Sequence, residues 1–104
     1  MVIYEVNLAI DKGVYAEFKA WLGEHVRELL KLPGFVQARL LKQEEDDELG
    51  KEKLTVQYQL QTKADLDRYF LEFAPKMREA GIVRFKDQFS ATRRVFKLQE
   101  IILK

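Results

Sequence analysis

The stretch His25-Val26-Arg27-Glu28-Leu29-Leu30-Lys31-Leu32-Pro33-Gly34-Phe35 decides the fold, and Val56-Gln57-Tyr58 further on completes its meaning. It carries an amphipathic helix into a proline–glycine stop and straight out into extended chain. Proline disfavours helical backbone in the residue before it and glycine accepts positive φ, so a helix ends there. Working back, Val14, Phe18, Trp21, Leu22, His25, Leu29 and Leu32 fall on one helical stripe. Glu17, Ala20, Glu24, Arg27, Glu28 and Lys31 take the other side. That pattern describes a helix with one face on a core and one in water. The only histidine of the chain therefore points inward.

The flanks supply the rest of the order. Val2, Tyr4, Val6, Leu8 and Ile10 alternate with Ile3, Glu5, Asn7 and Ala9, which predicts a half-buried strand. Asp11 is placed to cap the helix that follows. Residues 35–42 and 53–61 read as a second and third strand, the latter with Leu54, Val56, Tyr58 and Leu60 inward. An acidic hairpin connection, Glu44 to Gly50, joins them. Thr62 with Asp65 predicts a capped second helix along Leu66, Tyr69, Phe70, Phe73 and Met77. Pro75 predicts a kink or a fresh turn, and Gly81 a stop. A last strand spans roughly residues 90–98, with a facing that Arg93-Arg94 leaves open. The β-α-β-β-α-β order predicts an α+β, ferredoxin-like fold. Its four-stranded antiparallel sheet would run 4-1-3-2, with both helices on one face.

At 104 residues the chain is one domain, residues 1–104, with 47% hydrophobic residues to fill a core. The absence of cysteine removes disulfides and thiolate chemistry, and fits a reducing compartment. The first ten residues alternate as a strand and lack the basic start and cleavage site of a secretory signal, so a cytoplasmic location is expected. No apolar run is long enough for a membrane span. A net charge of +1 provides no bulk field for nucleic acid or anionic lipid. The outward positions of the middle strands are Gln, Thr, Glu and Asn in place of the stacking aromatics of an RNA-recognition sheet, so nucleic-acid binding is not expected.

The candidate chemistry centres on His25. One turn after Trp21 and two after Phe18, its ring could act as a general base, a proton shuttle or a haem ligand. It could equally be a buried neutral histidine satisfied by a tyrosine, a glutamine or a carbonyl. No acidic residue on that face completes a metal set, and none of the five glycines forms a dinucleotide or phosphate fingerprint. Neither a metal nor a cofactor is expected. On the outward sheet face, Glu5, Asn7, Gln37, Arg39, Thr55, Gln57 and Gln59 should lie side by side. They suit either a partner sheet or plain solvent. The apolar tail Ile101-Ile102-Leu103 also calls for burial against a partner. Arg84, Lys86, Arg93, Arg94 and Lys97 gather positive charge late in the chain, fitted to an anionic molecule or to an acidic patch.

An aromatic first strand, Trp21 and His25 on the first helix, Pro33-Gly34-Phe35, Val56-Gln57-Tyr58, Tyr69, Ala74-Pro75, and Phe85 through Arg93-Arg94-Val95 together resemble a family of small bacterial proteins of unknown function. The likeness covers essentially the whole chain and points to the dimeric α/β-barrel superfamily. Cofactor-independent antibiotic-biosynthesis-type monooxygenases, haem-degrading oxygenases and chlorite-dismutase-like proteins are more distant relatives implied by that fold. The resemblance implies two subunits packed sheet against sheet, each with a helix–sheet cleft that His25, Trp21 and Tyr58 would line. Phe18 and Tyr4 are expected beside them. Gln57, Gln59, Arg39, Ile101, Ile102 and Leu103 are the expected dimer interface. The expected function is binding of a small aromatic or anionic molecule in the cleft. Two alternatives stay open: a monooxygenase-like enzyme with His25 as catalytic base, and a structural or regulatory interaction module.

Overall fold

A computed structural model describes residues 1–44 and 48–104 of the chain. The expected acidic connection therefore lies in part outside the described residues, at positions 45–47. Strand β1 spans Val2–Asp11, and a 3-10 turn, Lys12–Val14, leads into α1, Tyr15–Leu29. Strands β2 (Phe35–Lys42) and β3 (Lys51–Leu60) follow, then helices α2 (Lys63–Glu72) and α3 (Ala74–Phe85), and strand β4 (Phe89–Lys97). The sheet is antiparallel in the order β2-β3-β1-β4, the ferredoxin-like 4-1-3-2 arrangement.

Alternation explains the two faces. Val2, Tyr4, Leu8 and Ile10 of β1 and Leu54, Val56, Tyr58 and Leu60 of β3 are buried, and pack with Phe18, Leu22, Leu29, Leu66, Tyr69 and Phe85 of the helices. The molecule measures 37 × 37 × 19 Å, thick enough for one sheet and one helix layer, so the opposite sheet face carries no helix layer among the described residues. The edge strands are incompletely sheltered: Leu40 and Leu41 of β2 and Val95 and Phe96 of β4 are exposed.

The ends of the elements follow local chemistry. Gly34 adopts φ 82°, which lets the chain turn from α1 into β2. A Cβ there would come within 2.3–2.5 Å of the Asp65 side chain. Thr62 caps α2, its hydroxyl oxygen accepting from the Asp65 backbone N–H at 3.1 Å while donating to the Asp65 carboxylate at 2.9 Å.

Two expectations are corrected, and a third holds. Asp11 makes no side-chain cap; it ends β1 and its carboxylate pairs with the Lys51 ammonium. Pro75 does open a fresh helix, as its missing N–H suits the first turn, but Gly81 does not stop it. The helix runs to Phe85 and ends at Lys86, which has φ 55°. Gly81 is buried inside α3 because the Trp21 ring occupies the space that a side chain would take, 3.0 Å from an added Cβ.

Candidate ligand cavity between helices and sheet

The register decides which side chains meet. With Tyr4 and Val6 facing the helices, their β4 partners Val95 and Arg93 share that face, while Arg94, opposite Glu5, lies on the other. The two adjacent arginines thus serve different sides of the sheet.

On the helix side a cavity of about 290 Å³ opens between β1, β3, β4 and the helices. Its floor is Tyr4, Val6, Leu8, Val56, Tyr58 and Ala91. Its walls are Phe18, Trp21 and His25 of α1, Tyr69 of α2, and Met77, Arg78 and Gly81 of α3, with Phe89 and Arg93 closing the β4 side. Small residues, Ala91 and Gly81, leave the volume unfilled, and the Trp21 ring leaning on Gly81 bounds it.

Rings make the walls rigid. Trp21 and His25 stack with centroids 4.5 Å apart and planes at 21°. Phe18 packs on Phe85 at 4.8 Å and on Phe89 at 5.0 Å. Tyr4 stacks on Tyr58 at 5.7 Å and meets Phe70 edge-on at 5.2 Å. Such pairs contribute about 0.5–1.5 kcal/mol each beyond their buried area.

Electrostatics follow from burial. Desolvation lowers the pKa of His25, so its imidazole is neutral at pH 7 and can accept a proton. Burial raises the phenols of Tyr58 and Tyr69 far above the usual tyrosine value, and neighbouring tyrosines add to it. Both are O–H donors at any physiological pH. Arg78 Nη2 donates to the Tyr4 hydroxyl at 3.3 Å. The cavity can therefore hold a molecule with an apolar body and a few polar or charged atoms.

The other sheet face carries a hydrogen-bonded ladder. Glu5, 5% exposed, accepts from Asn7 Nδ2 (2.9 Å), Gln57 Nε2 (3.0 Å) and Arg94 Nε (2.8 Å). Arg94 Nη2 lies 2.6 Å from the same carboxylate. Arg39 Nη2 donates to Gln57 Oε1 at 2.6 Å, Gln37 to Gln59 at 2.9 Å, and Thr55 to Asn7 at 2.7 Å. The hydrogen bonds from Asn7 and Gln57, ahead of the Arg94 guanidinium, hold the Glu5 carboxyl below the usual carboxylate range. The chain end bends over this face: Leu98 N–H donates to the Met1 carbonyl at 3.0 Å. Leu98 and Ile101 border a second hollow of about 280 Å³ with Ile3, Gln37, Arg39, Gln57 and Gln59. Ile102 and Leu103 are almost fully exposed.

The structure thus gathers Trp21, His25, Tyr58, Phe18 and Tyr4 around one cavity, and Arg39, Gln57, Gln59 and Ile101 around the outer face. Sequence reasoning named Arg93 only within a basic cluster fitted to an anionic molecule, and missed Arg78 and Gly81 as cavity residues. A helix carried through to Phe85 puts Met77, Arg78, Gly81, Ile82 and Phe85 within about 140° of arc, so the signal was hidden by taking Gly81 as a stop.

Comparison with known proteins places this geometry. The chain superposes on a candidate antibiotic biosynthesis monooxygenase from Deinococcus radiodurans with TM-score 0.75 and 14% identity, covering 100% of this chain and 98% of that one. It matches SnoaB, a cofactor-independent oxygenase from Streptomyces nogalater, with TM-score 0.67 and 16% identity over 99% and 98% of the two chains. A conserved protein from Methanosarcina mazei matches with TM-score 0.67 and 16% identity over 95% and 94%. At these identities the likeness establishes the fold, the one shared by antibiotic-biosynthesis-monooxygenase-like proteins. No curated protein matches the chain in sequence. The family model that does match covers residues 1–100, and by it the chain belongs to the family described as Domain of unknown function (DUF4286).

Proposed function

We propose that the protein is a homodimeric small-molecule-binding domain whose ligand occupies the helix–sheet cavity. The observation that carries this reading is the cavity itself. About 290 Å³ of unfilled space lies beneath α1 and α3, walled by aromatic rings and bordered by a neutral imidazole. A filled core, as an interaction module would have, leaves no such volume. The dimer is supported by the outer face, over which only the chain end at Leu98 and Ile101 folds among the described residues. Its polar ladder is already assembled, Leu41 and Phe96 stand exposed on it, and Ile102 and Leu103 project beside it. Apolar groups left exposed around one polar face favour a second copy as cover. Native mass spectrometry of freshly purified protein tests both parts together. The expected species is twice the 12.3 kDa chain with a small molecule released on denaturation. A bare single chain at micromolar concentration would count against it.

A second reading is favoured by one specific observation. His25 is held neutral on the cavity wall, as a general base needs to be, and SnoaB of the same fold is a cofactor-independent oxygenase. In this reading His25 removes a proton from an acidic C–H or O–H of the bound molecule before oxygen reacts. Oxygen uptake with electron-rich phenols that depends on His25, and is lost in His25→Ala with dimer and fold retained, would support it. Equal uptake in both proteins would remove it.

A further inference from the structure

We propose that the cavity selects a hydrophobic carboxylate, its charged oxygens received by the Tyr58 and Tyr69 hydroxyls and the Arg78 and Arg93 guanidiniums, its ring body lying against Trp21. The proposal rests on the reading of the cavity as a ligand site and adds the chemical class of the ligand.

Three observations converge. The first is a set of unspent donors. The hydroxyls of Tyr58 and Tyr69 make no hydrogen bond to another described residue. Yet among the described residues no enclosed side-chain oxygen lacks a partner, so both hydroxyls border open volume. The Tyr4 hydroxyl accepts from Arg78 and keeps its own proton to donate. A carboxylate, with two oxygens and about four lone pairs, is the acceptor that such a group of donors lacks.

The second is charge. Arg78, Lys86 and Arg93 border the cavity, and among the described residues no carboxylate does. None of the three forms an ion pair among the described residues, whereas Arg94 is neutralised by Glu5 on the far face of the sheet. Arg93 lies close enough to both phenols for its positive charge to oppose the rise in their pKa, and Arg78 does the same at Tyr69. The guanidiniums and the hydroxyls border the same cavity, and Arg78 reaches the Tyr4 hydroxyl beside them. Cationic groups at the rim of an apolar cavity, with O–H donors on its walls, recognise an anion by charge and geometry together.

The third is size and polarity. An apolar cavity of about 150 Å³ accommodates benzene, so about 290 Å³ admits one or two fused rings with a carboxylate. Away from the arginines the walls are Phe18, Trp21, Met77 and Phe89. A small hydrophilic anion such as phosphate would leave these surfaces wet.

The test uses naphthalene-2-carboxylate and naphthalene-2-carboxamide, which share shape and differ in charge. Trp21 is the only tryptophan and lines the cavity, so its fluorescence reports binding, with calorimetry as a check. The expected result is at least tenfold tighter binding of the carboxylate by the wild-type protein. Arg78→Met and Arg93→Met should each shrink that preference, and together abolish it, with amide affinity held within twofold. Both side chains reach the surface, so the variants should fold, and far-UV circular dichroism verifies it. Tyr58→Phe, which deletes one oxygen, should weaken the carboxylate several-fold and leave the amide unchanged. Equal affinity of the two probes in the wild type, or a preference that survives the double arginine variant, overturns the carboxylate proposal and leaves the cavity reading standing. Binding of neither probe at millimolar concentration overturns the cavity reading, and the proposal with it.

Discussion

Replacing Glu5 with glutamine probes the outer face at its most connected point. The carboxylate accepts from two amides, Asn7 and Gln57, and from two nitrogens of Arg94. Glutamine has the same shape, but it carries no charge, keeps a single acceptor oxygen and turns an N–H₂ toward groups that are themselves donors. A hydrogen bond to a charged group contributes about 1.5–3 kcal/mol, and a neutral one about 0.5–1.5 kcal/mol. The Arg94 side chain is 65% exposed, so water screens its share and will solvate it once the carboxylate is gone. The two amide donors set the scale, and the expected loss is about 1–2 kcal/mol at pH 7. For a domain of this size that is about 5–10 °C in melting temperature. Urea unfolding followed by circular dichroism, at one fixed chain concentration because association adds to stability, measures it. The pH dependence is a second constraint. The folded pKa of Glu5 lies below its unfolded value, so its contribution is present above the unfolded pKa and is lost as pH falls through the folded one. The difference between wild type and Glu5→Gln should therefore close in acid. A difference below about 0.5 kcal/mol at neutral pH would refute the reasoning, because the ladder would then be no better than solvent.

Three further outcomes are expected. His25 has a lowered folded pKa, so the unfolded chain takes up a proton first. Stability is full above about pH 6.5 and falls below it, by about 1.36 kcal/mol for each pH unit separating the two pKa values. Urea midpoints between pH 7.5 and 5 should show this slope in the wild type and lose it in His25→Phe; parallel profiles would place the ring in water. Thr62→Ala removes the cap of α2 and should cost about 1 kcal/mol by the same unfolding assay, with a negligible change counting against the cap. Gly34→Ala combines about 1–2 kcal/mol of left-handed backbone cost with a collision on Asp65, so it should exceed the Thr62→Ala loss. A smaller loss would mean that the turn at Gly34 rearranges freely.

The parts of the fold legible in sequence were those with an unambiguous period. Alternation through Tyr4–Ile10 and Leu54–Leu60, and the helical stripe from Val14 to Leu29, placed the strands, the first helix and His25 on the correct faces. The Thr62 cap and the Pro75 helix start follow from short-range chemistry, and both are present. Long-range information was missing where local pattern falls silent. Arg93 and Arg94 are alike as residues, and only their partners across the sheet, Val6 and Glu5, assign one to the cavity and the other to the outer face. Gly81 resembled a helix stop because its true cause, a tryptophan sixty positions earlier in the chain, is a tertiary contact. Asp11 resembled a cap because Lys51, its actual partner, lies on another strand. The cavity was inferred from one inward histidine beside Trp21. Its cationic border was not, since it depends on α3 continuing past Gly81 and on the register of β4.

Ligand binding, and every role assigned to His25, requires that the space beneath α1 and α3 open to a small molecule. Protein-observed NMR, following the Trp21 indole N–H and the His25 ring while a set of one- and two-ring aromatic compounds is titrated in, tests it most directly. Saturable shifts of both signals together are expected, with the Met77 and Ala91 methyls moving and the exposed Leu49 methyls, which do not line the cavity, still. Saturation that moves neither ring, or shifts confined to the outer sheet face, would contradict it.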